Sequence, residues 1–112
     1  MKKIHILGSE WAIEYRKGAE DPALDGVDGY CDSSVRLIVV EDMQPEANSK
    51  KCLEAYKKQV LRHEIIHAFL EESGLSHCSG YSTAWAQNEE MVDWMAAQFQ
   101  KILQAFKEAD AL

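Results

Sequence analysis

The spacing of apolar positions changes character at Pro45. Before it the period is two. Lys2 to Leu7 alternates polar and apolar residues, which predicts a strand with one face turned inward. Trp11 to Tyr15 fits a second strand or a short helical turn. Val35 to Val40 is rich in β-branched residues and predicts a buried strand. Gly29-Tyr30-Cys31 followed by Asp32-Ser33-Ser34 predicts a hairpin leading into it. Residues 17–28 hold Gly18, Pro22 and Gly26 among four acidic side chains and predict a loop.

After Pro45 the period is that of an α-helix. Leu53, Tyr56, Val60, His63, His67 and Leu70 recur three or four apart, one stripe of a helix. Asn48 or Ser49 can cap it, because a short polar side chain accepts from the free amides of the first turn. Gly74 can end it, since glycine tolerates positive φ. The first helix is therefore expected over about 49–73. Residues 74–82 predict a loop. A second helix starting near Ser82–Thr83 carries Val92, Met95, Ala96, Phe99, Ile102, Leu103 and Phe106. The expected fold class is α+β, a small N-terminal β-sheet followed by two long helices. At roughly 100–150 residues per domain, a chain of 112 residues is one domain, 1–112.

Composition narrows the function classes. Hydrophobic residues at 46% and charged residues at 28% are ordinary for a globular protein and exclude a disordered chain. Three cysteines are too few and odd in number for a disulfide scaffold, so Cys31, Cys52 and Cys78 are expected as free thiols. Apolar runs such as Leu37–Val40 stay far below the ~18 residues of a membrane span. Glu10 cuts the first apolar stretch below the ~7–15 residues of a signal-peptide core, so a cytoplasmic, reduced setting is expected. The net charge of −7, from 12 basic and 19 acidic side chains, repels phosphate backbones. No polybasic stretch suits an anionic membrane. Neither nucleic acid nor membrane is an expected partner.

One segment carries chemistry. His63-Glu64-Ile65-Ile66-His67 is HExxH within the first helical pattern. Residues i and i+4 share a helical face, so two imidazoles can converge on one metal ion. Glu64 then flanks the metal, where it can take a proton from a bound water. The histidines continue the stripe of Leu53, Tyr56 and Val60, which predicts that they point inward, where unsatisfied imidazoles would be costly. A catalytic zinc needs a third protein ligand and an open position. The extended motif HExxHxxGxxH would need Gly at 70 and His at 73, but Leu70 and Ser73 stand there. The remaining candidates are His77, in the loop, and Glu89 or Glu90 at the start of the second helix. Helical phase favours Glu89, which shares a stripe with Val92 and Ala96, whereas Glu90 falls on a flank. Asp93 follows Glu89 by four and can accept the spare N–H of a liganding histidine. Two imidazoles and a carboxylate favour zinc among the divalent metals.

At these residues the chain resembles the gluzincins, the thermolysin-like zinc metallopeptidases. These pair HExxH with a downstream Asn-Glu-x-x-x-Asp, and this chain reads Asn88-Glu89-Glu90-Met91-Val92-Asp93. The similarity runs from the first helix to residue 93. In size and element order the chain also resembles the single-domain minigluzincins and the ImmA/IrrE-like peptidases of phages and mobile elements, which suggests a prophage-type origin. In the latter the second helix reads Glu-x-x-Ala-Asn/Asp-x-x-Ala, and Val92 stands here for the first alanine. The resemblance implies a zincin-like fold and zinc on His63, His67 and Glu89. It implies Glu64 as general base, Asp93 as the carboxylate behind the first histidine, and a peptide or protein substrate. Within these 112 residues no large helical domain is expected to form a second wall of the cleft. No Tyr or His matches the usual oxyanion donor, for which Tyr81 and His77 in the inter-helix loop are the available groups.

An edge strand, Tyr30–Asp32 or Val35–Val39, could bind an extended peptide by strand addition. Trp11, Trp85 and Trp94 are expected in core or groove packing, and His5 in a structural role on its strand. Lys57, Lys58, Arg62 and Lys101 are expected on solvated faces. Acids between Glu20 and Asp28 lack the spacing of a calcium loop. Two further readings stand beside the peptidase. One is a non-catalytic protein-binding module on a zincin scaffold. The other is a metal-dependent hydrolase of a different carbonyl substrate. The intact Glu64 favours an enzyme, because a closed structural zinc site has no use for it.

Overall fold

The computed structural model describes residues 1–78 and 85–112, with Cys78 by its backbone alone. Two strands open the chain, β1 (Lys2–Ile6) and β2 (Ser9–Arg16), paired antiparallel so that Ile6 faces Ser9. The link is only Leu7-Gly8, with φ of 50° and 88°. A two-residue turn with both φ positive matches the right-handed twist of the strands it joins. Trp11–Tyr15 is thus strand rather than helical turn. The expected loop over 17–28 contains two short 3-10 turns, Gly18–Glu20 and Pro22–Leu24. Asp21 caps the second by accepting from the Ala23 amide at 3.0 Å.

The hairpin after this loop is β3 (Gly29–Asp32) and β4 (Leu37–Glu41). Val35, expected in the strand, lies in the connecting turn and is exposed. There Arg36 adopts φ 53°, which extended backbone cannot include, and Asp32 Oδ1 accepts from the Ser34 amide at 3.0 Å. The sheet order is β1-β2-β4-β3, with β2 and β4 parallel. β4 is bonded on both sides, so Val35–Val39 offers no free edge. β3 is an edge strand.

Alternate residues point to opposite sheet faces. One face collects Ile4, Ile6, Trp11, Ile13, Cys31 and Ile38, and packs against Leu61, Ile65 and Ala68 of the first helix, α1 (Leu53–Glu72). On the other, Arg16 and Tyr30 converge on Asp21: the Tyr30 hydroxyl donates to Oδ2 at 2.6 Å and Arg16 Nη1 does so at 2.9 Å.

α1 begins later than its periodicity suggests. Ser49 does not cap it. Its hydroxyl closes a turn instead, accepting from the Glu46 amide at 3.0 Å and donating to the Glu46 carbonyl at 2.9 Å. Cys52 takes the N-cap position without a side-chain bond. The buried line of α1 is Val60, Glu64 and Ala68. It lies one residue off the expected stripe, so the histidines flank the core rather than continue it. Gly74, at φ 83°, ends the helix as expected. Two charged residues expected on solvated faces are tied down. Lys57 Nζ lies 2.8 Å from Asp42 Oδ1, and Arg62 Nε donates to the Ala96 carbonyl at 2.7 Å.

A short helix, α2 (Leu75–Cys78), forms where a loop was expected. A 3-10 turn at Trp85–Gln87 precedes the second long helix, α3 (Glu89–Glu108). Asn88 caps α3, its Oδ1 accepting from the Met91 amide at 2.9 Å. The helix therefore starts at Glu89, not near Ser82–Thr83, which lie outside the described residues. Val92 and Ala96 are buried. Trp85 and Trp94 are more than half exposed, so Trp11 alone of the three tryptophans is in the core. His5 is exposed on β1. Among the described residues no helix is long and apolar enough to cross a membrane.

Candidate metal centre

Helical geometry on α1 sets two imidazoles side by side. The His63 and His67 rings lie 4.8 Å apart between centroids, inclined at 65°. The first residue of α3 reaches both. Glu89 Oε2 is 3.1 Å from His63 Nε2, and Glu89 Oε1 is 2.9 Å from His67 Nε2. Asn88 makes this possible, because its cap fixes where α3 begins and so which residue leads the helix. Glu89 keeps the phase of Val92 and Ala96, yet its side chain is 72% exposed, since it overhangs an open cavity rather than packed neighbours.

One turn on, Asp93 Oδ1 lies 3.0 Å from His63 Nδ1. A ring N–H donated there leaves Nε2 as the lone-pair nitrogen facing Glu89. One ligand atom from each of His63, His67 and Glu89 lies within 4.8 Å of the others. Donor atoms of a tetrahedral site with bonds of ~2.0–2.1 Å stand about 3.3 Å apart, so this trio lies within side-chain adjustment of such an ion. Nitrogen and carboxylate donors suit zinc.

Glu64 sits beneath the trio. It is 6% exposed, and its Oε1 is 3.8 Å from His63 Nε2, beyond hydrogen-bonding reach. Burial pushes its carboxyl up to about 7, with His63 opposing the rise and Glu89 adding to it. Burial also holds His67 below the ordinary histidine range, against the pull of Glu89.

Two adjoining cavities open at these side chains, and both are lined by Val27, Gly29, His63, Glu64 and Glu89. One, of about 220 Å³, continues to Asp28, Tyr56 and Asp93. The other, of about 420 Å³, continues to Tyr30, Cys31, His67, Glu71 and Gln87. Cys31 is a free thiol that burial, with Glu64, Glu71 and Asp32 nearby, pushes up to about 12.

His77 stands apart. It is exposed, with Nε2 3.0 Å from Glu71 Oε2, and lines neither cavity. Glu90 is outside the trio. Tyr81 lies outside the described residues. The sequence reading missed Tyr56 as a cavity residue, although it shares the helical stripe of His63. Its hydroxyl donates to Asp28 Oδ2, and that bond, with burial, pushes the phenol up to about 12. Asp28 carried no such signal, because a loop residue has no periodicity to place it. No family model matches the chain, and no curated protein or solved structure does.

Proposed function

We infer that the protein is a zinc-dependent metallopeptidase of the gluzincin type, on a minimal zincin-like scaffold. The observation that carries this reading is the convergence of His63, His67 and Glu89 beside a buried Glu64. His63, His67 and Glu89 would hold the ion. Zinc, when bound, supplies a Lewis acid that acidifies a water and polarises a substrate carbonyl.

The rest falls to the chain's own residues. Glu64 takes the proton of the attacking water and passes it to the leaving nitrogen. Its buried position favours that exchange, because a carboxyl poised near neutrality both accepts and releases a proton. Asp93 fixes the tautomer and orientation of His63. β3, the edge strand beside both cavities, offers main-chain groups to an extended peptide.

The test combines metal content with peptide cleavage. The protein is purified without a histidine tag, its zinc is quantified by mass spectrometry, and a peptide library is screened. About one zinc per chain is expected. Glu89→Ala should lose it, Glu90→Ala and Glu64→Gln should keep it, and Glu64→Gln should abolish cleavage. A wild-type protein that takes up no zinc even after add-back would overturn the metal reading. It would leave a binding module as the better account.

A further inference from the structure

Charge is distributed unevenly over this acidic molecule. Lys3, Arg16, Arg36 and Lys57 each pair with a carboxylate within 4 Å. The cations along the groove between the first half of α1 and the middle of α3 do not. This open groove, of about 780 Å³, is lined by Lys50, Lys58 and Arg62 on one side and by Ala97 and Gln100 on the other. Among the described residues, none of these three cations has an acidic partner within ion-pairing distance. Lys50 Nζ rests 5.0 Å from the centre of the Tyr56 ring, and Arg62 spends its Nε on the Ala96 carbonyl. The groove's one acid, Glu54, turns to Lys57 at 3.5 Å. The α3 wall adds no negative charge, since residues 94–107 contain no Asp or Glu and include Lys101 and Lys107.

In a chain with 19 acids and 12 bases, three unpaired cations lining one groove give it a local positive potential that an acidic ligand complements. We propose that the groove between α1 and α3 binds an acidic stretch of a peptide chain. Peptide suits it better than nucleic acid. The Gln59 and Gln100 amides in its walls can both donate to and accept from a peptide backbone. Tyr56 and Gln59 line both this groove and the smaller cavity at His63, so a segment held here runs on toward the candidate metal centre. The groove's own binding needs no metal.

The experiment is fluorescence anisotropy with a short Asp/Glu-rich peptide carrying a neutral dye, beside Lys-rich and Ser/Gly-rich counterparts. The acidic peptide alone should bind, and more weakly as salt is added. Lys50→Glu with Lys58→Glu, both at exposed positions, should weaken binding about tenfold or more while the circular dichroism spectrum stays unchanged. Lys2→Glu with Lys3→Glu, an equal charge change on the far edge strand, should leave it within twofold. Binding should persist in zinc-free Glu89→Ala, which separates failure of the groove from failure of the metal reading. Equal losses in the two double variants, no binding of the acidic peptide, or tighter binding of a single-stranded oligonucleotide would each overturn the proposal.

Discussion

Gly29 of β3 lies against Val60 of α1 with no room for a side chain between them. A Cβ on Gly29 would stand 3.4 Å from Glu64 Cγ, 2.9 Å from Val60 Cγ1 and 2.9 Å from the Val39 carbonyl oxygen. The backbone of the edge strand therefore meets side-chain atoms of the HExxH helix directly. This close approach holds Glu64 at the floor of both cavities.

Gly29→Ala should accordingly destabilise the fold. Both the Val39 oxygen in the sheet and Val60 on α1 would stand under 3.0 Å from the added Cβ, so strand and helix must both give way. A loss of about 1–3 kcal/mol is expected, the usual cost of overpacking. Urea denaturation of the two proteins measures it. A variant as stable as the parent would show that β3 and α1 part easily.

Asp93 should matter to the metal without touching it. Its bond to His63 Nδ1 fixes the ring, so Asp93→Ala should weaken zinc affinity by about 10–100-fold. Competition with a chromophoric chelator gives the ratio. Unchanged affinity would mean that packing alone orients His63.

Acid should weaken the fold partly through Asp21. The Tyr30 hydroxyl, then the Arg16 guanidinium and the Ala23 amide, hold its carboxyl below the ordinary range. A carboxylate depressed in the folded state contributes stability above its unfolded value of ~3.9, and that contribution is lost as pH falls through the folded value. Tm measured across pH 2–6 should therefore fall less steeply for Asp21→Asn than for wild type. Parallel curves would remove Asp21 from the acid response.

The two described thiols should differ in reactivity. The Cys31 thiol, raised to about 12 by burial and its acidic neighbours, is almost wholly protonated at pH 8, whereas Cys52 is exposed. In a Cys78→Ser background, Ellman's reagent should modify one thiol per native chain quickly and the second only on unfolding. Fast reaction of both would contradict the burial of Cys31.

Leu7 sits at φ 50° in the two-residue turn between β1 and β2, a conformation that costs a leucine about 1 kcal/mol. Asparagine tolerates it and suits this turn type. Leu7→Asn should stabilise the protein by about 0.5–1 kcal/mol in urea denaturation. A loss of stability would mean that the exposed Leu7 side chain makes contacts worth more than the strain.

Features that depend on neighbours along the chain were legible in the residues alone. A period of 3.6 residues puts His63 with His67, and Glu89 with Asp93, whatever surrounds them. Gly74 stops its helix because only its own φ is at issue. Other features needed the tertiary structure. The hydroxyl of Ser49 had two local bonds to choose between, and the turn at Glu46 took it, so α1 began late. Which face of α1 is buried is fixed by β3 and β4 pressing on Val60 and Glu64, so the stripe moved by one residue. Strand order made β3 the edge and β4 the centre, although both carry strand-like patterns. Asp28 met Tyr56, and Arg62 met Ala96, across distances in sequence that no periodicity spans. Local backbone geometry repeats along a chain and can be read there. Packing between distant segments is one solution among many, and only the folded molecule selects it.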